Sequence, residues 1–286
     1  MNGSAVDVVQ QRLGLGCARL ASVLGRDQAD AFRLIHAAYE RGIRFFDTAN
    51  IYGQGDSERL LGAALDGRRK QATIVTKAGQ YFPAWMNVAR PFKSILAPLI
   101  RRSGVGSHAV SRMRAAPLPR NFSDSFLRAS IDASLRRLNT DYLDIVLLHS
   151  PPADIIRTGE ALHHLTNIRE AGKAIKIGIS CEDVQSALVA LDDPRVEVIE
   201  LPLWPVTAAT NLFLDRARRQ AVFVVGRGLM SATLATDRND RWSTARAALV
   251  ASLPRDEINR VLIGTTRLDH LNQVLDAVQR QETRCL

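Results

Sequence analysis

SDSFLRASIDASLRRLNTDYLDIVLLH, residues 123–149, sets one helix against one strand, and the same pairing recurs along the whole chain. Leu127, Ile131, Leu135 and Leu138 recur at three- and four-residue spacing, which puts them on one face of a helix. YLDIVLLH at 142–149 is a short apolar run, as expected of a strand covered on both sides. Working outward, further runs of this kind stand at 13–20, 43–49, 72–77, 174–180, 196–204, 221–226 and 260–264, making eight strand candidates. Amphipathic segments such as DQADAFRLIHAAYERG and SERLLGAALDG lie between them, and Gly42, Gly67 and Gly172 stand where helices need left-handed C-terminal caps. Eight alternations over 286 residues predict an α/β chain folded as a single-domain (β/α)8 TIM barrel spanning 1–286. An open doubly wound sheet is the alternative, but no strand leads into G-x-G-x-x-G. GLGCAR and GQGDSE both lack the third glycine.

A hydrophobic content of 46% is enough for a substantial core, and the three cysteines, Cys17, Cys181 and Cys285, are too scattered for a disulfide framework or zinc cluster. The expectation is a reducing, cytoplasmic setting. No basic start leads into an apolar run, and no segment approaches the ~20 apolar residues of a bilayer span, so neither export nor membrane insertion is expected. The net charge of +9 is concentrated in an inserted basic loop at about 78–122, which carries Arg90, Lys93, Arg101, Arg102, Arg112, Arg114 and Arg120 and no acid. Such a loop reads as a solvated surface, as a cover for an anionic cofactor or substrate, or as a phosphate-backbone contact. With only Trp85 and Phe92 beside its main basic part, it makes a poor base-stacking surface, and no nucleic-acid partner is expected. Oligomeric state is not encoded in any of these features.

In a barrel of this kind the reactive groups come from the C-terminal strand ends, where the loops converge. Asp47, Lys77 and His149 each close an apolar run, and Tyr52 follows in the loop IYGQG. Taken singly, each also fits an ordinary role: Asp47 as a helix cap, Lys77 as a strand-end charge, His149 as a core histidine, Tyr52 as packing. Together they make a proton-transfer set. A tyrosine with its ordinary pKa of about 10 needs help to exchange protons at neutral pH. An ammonium from Lys77, balanced by Asp47, favours the phenolate and is expected to lower that pKa. His149 then orients the reacting oxygen.

FFDTANIYGQGDSERLLG, TIVTKAG, SLRRLNTDYLDIVLLHSPP, KAIKIGIS and VLIGTTRLDHL, in this order, resemble the aldo-keto reductase family over nearly the whole chain. The resemblance implies Tyr52 as general acid/base, Lys77 and Asp47 as its tuning pair, His149 as the group orienting the carbonyl, and an extended NADP(H) across the barrel mouth. The serine-containing segment GQGDSERLLG is similar to the subgroup of aldose 1-dehydrogenases and related bacterial reductases. Against the family's carboxamide-holding serine, asparagine and glutamine, this chain has Ser180, Cys181 and Glu200. A glutamate accepts from an amide but cannot donate to one, and a thiol is a weak partner.

Gly226, Arg227 and Gly228 are expected to bring backbone close to the cofactor. Gly264, Thr265, Thr266 and Arg267 offer an anion site at a helix start, with Arg267 placed to favour NADP(H) over NAD(H) through a 2′-phosphate. Phe82, Trp85 and Trp204 are candidates for lining a substrate pocket. The functions in view are carbonyl reduction with NADPH, the reverse oxidation of an alcohol or sugar (an aldose 1-dehydrogenase activity), and a nicotinamide-binding regulatory barrel with little turnover. The two enzyme readings imply a small-molecule carbonyl or sugar partner, and none of the three implies a metal.

Overall fold

The fold comes from a computed structural model, which describes residues 11–20, 28–83, 118–228, 249, 252–253 and 255–284. Eight strands form one closed barrel in sequence order, every neighbour parallel: β1 Leu13–Gly16, β2 Phe45–Asp47, β3 Thr73–Ala78, β4 Leu143–His149, β5 Ala174–Ser180, β6 Val198–Pro202, β7 Phe223–Arg227 and β8 Arg260–Ile263. β1 closes the ring on β8, pairing Leu13 with Val261 and Leu15 with Ile263. The described helices are α1 Gln28–Glu40, α2 Asp56–Ala64, α3 Asp124–Leu138, α4 Ala153–Thr158, α5 Glu160–Glu170, α6 Val184–Ala190, α7 Ala208–Arg219 and α8 Leu268–Arg284. The expected barrel is therefore the observed one. Several strands are shorter than their apolar runs, because residues such as Cys17 and Leu203 continue the buried surface after the ladder has ended.

Two apolar layers result from the two faces of the sheet. Between strands and helices lies the larger one, to which α3 contributes Leu127, Ile131 and Leu138 fully buried and Leu135 partly buried. Each such side chain contributes about 1.5–3 kcal/mol when fully buried. Inside the barrel, Phe45, Val75, Ile145, Leu147, Val198, Val225 and Leu262 form a separate plug. The barrel is thus filled below its mouth, and chemistry is confined to the C-terminal rim.

β5 approaches β6 closely at Gly178, where an added Cβ would stand 1.8 Å from the Val198 carbonyl oxygen. Backbone on both sides cannot yield, so Gly178→Ala is expected to cost about 3 kcal/mol or more. For a chain of this size that is a fall in melting temperature of roughly 6–12 °C, and thermal unfolding followed by circular dichroism checks it. An unchanged midpoint would show that the two strands can part.

Candidate active site

Neighbouring residues of a strand face opposite ways, so a residue two places on shares its predecessor's face. Applied to the plug, this rule builds the site. Two positions beyond Phe45, Val75, Leu147, Val198 and Val225 stand Asp47, Lys77, His149, Glu200 and Arg227. Five polar side chains thus rise in one ring over an apolar floor. Ser180, two beyond Gly178, joins them between His149 and Glu200, with which it is in register.

Lys77 is 1% exposed, and its ammonium donates to Asp47 Oδ1 and, at 3.1 Å, to the Thr48 carbonyl. Its Nζ also lies 3.2 Å from Glu200 Oε2. The other oxygen of Glu200 accepts from Ser180 Oγ at 3.2 Å and lies 3.1 Å from Arg227 Nε. Asp47, Lys77, Glu200 and Arg227 therefore form a row of alternating charge, in which each buried ion faces an opposite one. Burial works to strip Lys77 of its proton, but Asp47 and Glu200 outweigh it and hold the ammonium firmly charged. Burial, then the nearby Glu200, pushes the Asp47 carboxyl well above the usual carboxylate range, while Lys77 pulls the other way.

Tyr52 opens a 3-10 turn, Tyr52–Gly55, in which Gly53, Gln54 and Gly55 all have positive φ (59°, 61° and 87°). Glycine at two of these three positions makes the sharp reversal accessible and brings the phenol back over the rim. Upstream, Thr48 Oγ1 bonds Ser57 Oγ at 3.0 Å and Ser57 donates to the Cys17 carbonyl, tying both ends of the loop to the barrel. Lys77 Nζ stands 5.3 Å from the centroid of the Tyr52 ring, and the His149 ring meets it edge-on at 5.9 Å. The four residues read from the sequence are thus brought together.

One expectation is overturned. The phenol is not made more acidic: burial pushes the Tyr52 pKa up to about 12, against the pull of Lys77 and with the added push of Asp47 and Glu200. Taking a phenolate out of water, beside two carboxylates, outweighs one ammonium. His149 moves the other way, far below its ordinary value, through burial and then the charges of Lys77, Arg227 and Arg120. Its imidazole is therefore neutral, with a buried Nδ1 that has no hydrogen-bond partner among the described residues.

Tyr52, His149, Ser180 and Arg227 line one cavity of about 320 Å³. Gln80, Ser150 and Glu182 complete its wall and were missed in the sequence, although Ser150 follows His149 directly. Cys181 is a second correction. One residue beyond Ser180, it turns to the opposite face and lies fully buried in the outer apolar layer, so its thiol does not reach the cavity; its carbonyl accepts from Arg227 at 2.7 Å. At the start of α8, Thr265 Oγ1 accepts from the Arg267 amide at 3.1 Å, and nothing among the described residues lies within 4 Å of a Cβ built on Gly264. The Arg267 guanidinium is exposed and pairs with Asp269.

Trp204 lines a different cavity, with Leu203, Thr210 and Ile258. Trp85 and the basic loop beyond residue 83 lie outside the described residues, as far as residue 117; the Gln80 and Arg120 bridge joins the two ends of that loop. Among the described residues no helix is long and apolar enough to cross a membrane.

The model of the aldo/keto reductase family matches residues 12–281. The chain belongs to the aldo/keto reductase family. Aldo-keto reductase AMT2 of Alternaria alternata is 35% identical over 161 residues, 50% of this chain and 38% of that protein. D-threo-aldose 1-dehydrogenase of a Pseudomonas species is 32% identical over 187 residues, 62% of this chain and 52% of that one. The chain thus matches about half or less of the length of these aldo/keto reductase relatives. The crystal structure of an aldo/keto reductase from Klebsiella pneumoniae in complex with NADP and acetate shares the fold, with a TM-score of 0.64 and 17% identity over 96% of this chain and 90% of that one.

Proposed function

We propose that this chain is an NADP(H)-dependent oxidoreductase that reduces an aldehyde or ketone, or oxidises the corresponding alcohol, with Tyr52 as general acid/base. The observation that carries the reading is a single cavity bearing a protonated phenol and a neutral imidazole above a buried ammonium. The residues fit the cofactor. Glu200 Oε2 makes no hydrogen bond among the described residues beyond its ion-pair contact with Lys77, and with the Ser180 hydroxyl beside it the carboxylate is suited to accept from a carboxamide NH2. Gly264, Thr265, Thr266 and Arg267 would hold the adenosine phosphate end, where space left at Gly264 by the described residues and the first amides of α8 favour an anion. Arg267 would turn from Asp269 to a 2′-phosphate, and an exposed ion pair costs little to open. When bound, the nicotinamide supplies or accepts the hydride.

The rest is done by the side chains described. His149 donates a hydrogen bond to the substrate oxygen and sets its orientation, because a neutral ring keeps one N–H. Tyr52 delivers its proton to that oxygen as negative charge develops, and the Lys77 ammonium stabilises the phenolate left behind. In the oxidising direction the same phenolate accepts the proton of the alcohol, and the aldose dehydrogenase relative supports sugars among the substrates.

The test is consumption of NADPH absorbance with a panel of aldehydes, ketones and aldoses, beside fluorescence titration of NADPH and NADH. Carbonyl-dependent consumption with tighter binding of NADPH than of NADH is expected. Binding without turnover on any member would favour a regulatory barrel, and binding of neither nucleotide would end the oxidoreductase reading.

A further inference from the structure

Arg227 is the cation among the described residues that line the cavity, and proton transfer makes no use of it. Two of its three nitrogens are fixed from behind. Nε lies 3.1 Å from Glu200, which is wholly buried, and Nη2 donates to the Cys181 carbonyl at 2.7 Å. Nη1 has no hydrogen-bond partner among the described residues, and 32% of the side chain remains open. A guanidinium clamped along one edge has already lost its rotamer freedom, so binding through its other edge costs less than for a free surface arginine. It lines the same cavity as Tyr52 and His149, so a group resting on it shares that space with the proton-transfer residues.

We infer that Arg227 receives a carboxylate carried by the substrate, and that the preferred substrates are oxo acids whose carbonyl oxygen reaches Tyr52 and His149 while their carboxylate meets the free edge of the guanidinium. This rests on the hydride-transfer reading above and names its substrate class. The charge balance of the wall favours a monoanion over a phosphate. Glu200 offsets Arg227, Asp47 offsets Lys77, and at the rim Glu182 pairs with Arg120 at 2.9 Å. Among the described residues the wall therefore presents directed N–H groups with each cation offset by a carboxylate, which suits a planar singly charged group better than a dianion. Ser150 and Gln80 add neutral polar groups to the same wall.

The experiment compares kcat/KM for a series of aliphatic oxo acids of increasing length, each beside its methyl ester, with NADPH saturating. The best acid should exceed its ester by about ten- to a hundredfold, mainly through KM. Arg227→Met should bring the ratio near unity, and Arg227→Lys should keep part of it. Calorimetric binding of benzoate against benzamide, with and without NADP+, supplies a readout free of turnover, and benzoate should bind tighter to the wild type alone. A wild-type ratio near one overturns the assignment. So does a ratio unchanged in Arg227→Met, and if that variant also binds NADPH more weakly the guanidinium belongs to the cofactor. Should Arg227→Met not fold, the wild-type ratio and the benzoate preference decide. Failure of the hydride reading looks different: neither member of any pair consumes NADPH, and benzoate binding alone then upholds or removes the role of Arg227.

Discussion

Replacing Tyr52 by phenylalanine should lower turnover by about 10²–10⁴-fold, the usual contribution of a positioned general acid, and leave NADPH affinity near the wild-type value. Phenylalanine keeps the ring over Lys77 and against His149, so only the hydroxyl is lost. The direction of the pKa shift adds a second readout. With its pKa pushed up to about 12, the phenol stays protonated throughout the neutral range. A proton is therefore always at hand for reduction, and the reductive rate should be flat with pH. Oxidation needs the phenolate, whose population grows about tenfold per pH unit below the pKa, so the oxidative rate should climb across the same range. Initial rates of both directions in wild type and Tyr52→Phe check this, and the variant should lose the climb. Equal turnover by the variant would remove Tyr52 from the chemistry.

Asp47, Lys77 and His149 were legible in the sequence because each is a polar residue at the end of an apolar run, and parallel strands buried on both faces leave such residues nowhere to go but the rim. The same reasoning reaches Glu200 and Arg227, each two residues beyond an interior valine. What it does not supply is the register of β3 against β6, which lie across the barrel from each other. The bond between Lys77 and Glu200 was for that reason unreadable, and Glu200 looked only like an altered carboxamide contact. Cys181 was misread for want of a face: adjacent to Ser180, it had to point away. The direction of the Tyr52 shift depended on a balance of burial against three charges, and burial is a property of the packed fold that no local string carries.

Lys77→Met should be the most damaging single change to stability in this site. Methionine fills much the same space, so the effect isolates the charge. Without the ammonium, Asp47 and Glu200 face each other in a buried pocket, with Arg227 touching only one of them. Removing one partner of a buried ion pair costs about 3–5 kcal/mol. The loss should depend on pH with a definite sign. Asp47 already sits well above its ordinary value when folded, and losing Lys77, which pulls it down, raises it further. A carboxyl raised on folding is protonated without penalty in acid, and a penalty common to wild type and variant begins above its unfolded value of about 3.9; the variant's extra penalty appears as pH rises past the wild-type folded value and grows until its own is passed. Urea unfolding should therefore show a smaller deficit near pH 5 than near pH 8. Adding Glu200→Gln to Lys77→Met should recover part of the deficit, because one of the two stranded carboxylates is gone, whereas Glu200→Gln alone leaves Asp47 with its cation. Strict additivity of the two substitutions, or a deficit independent of pH, would mean that the three groups do not act as one ionic unit.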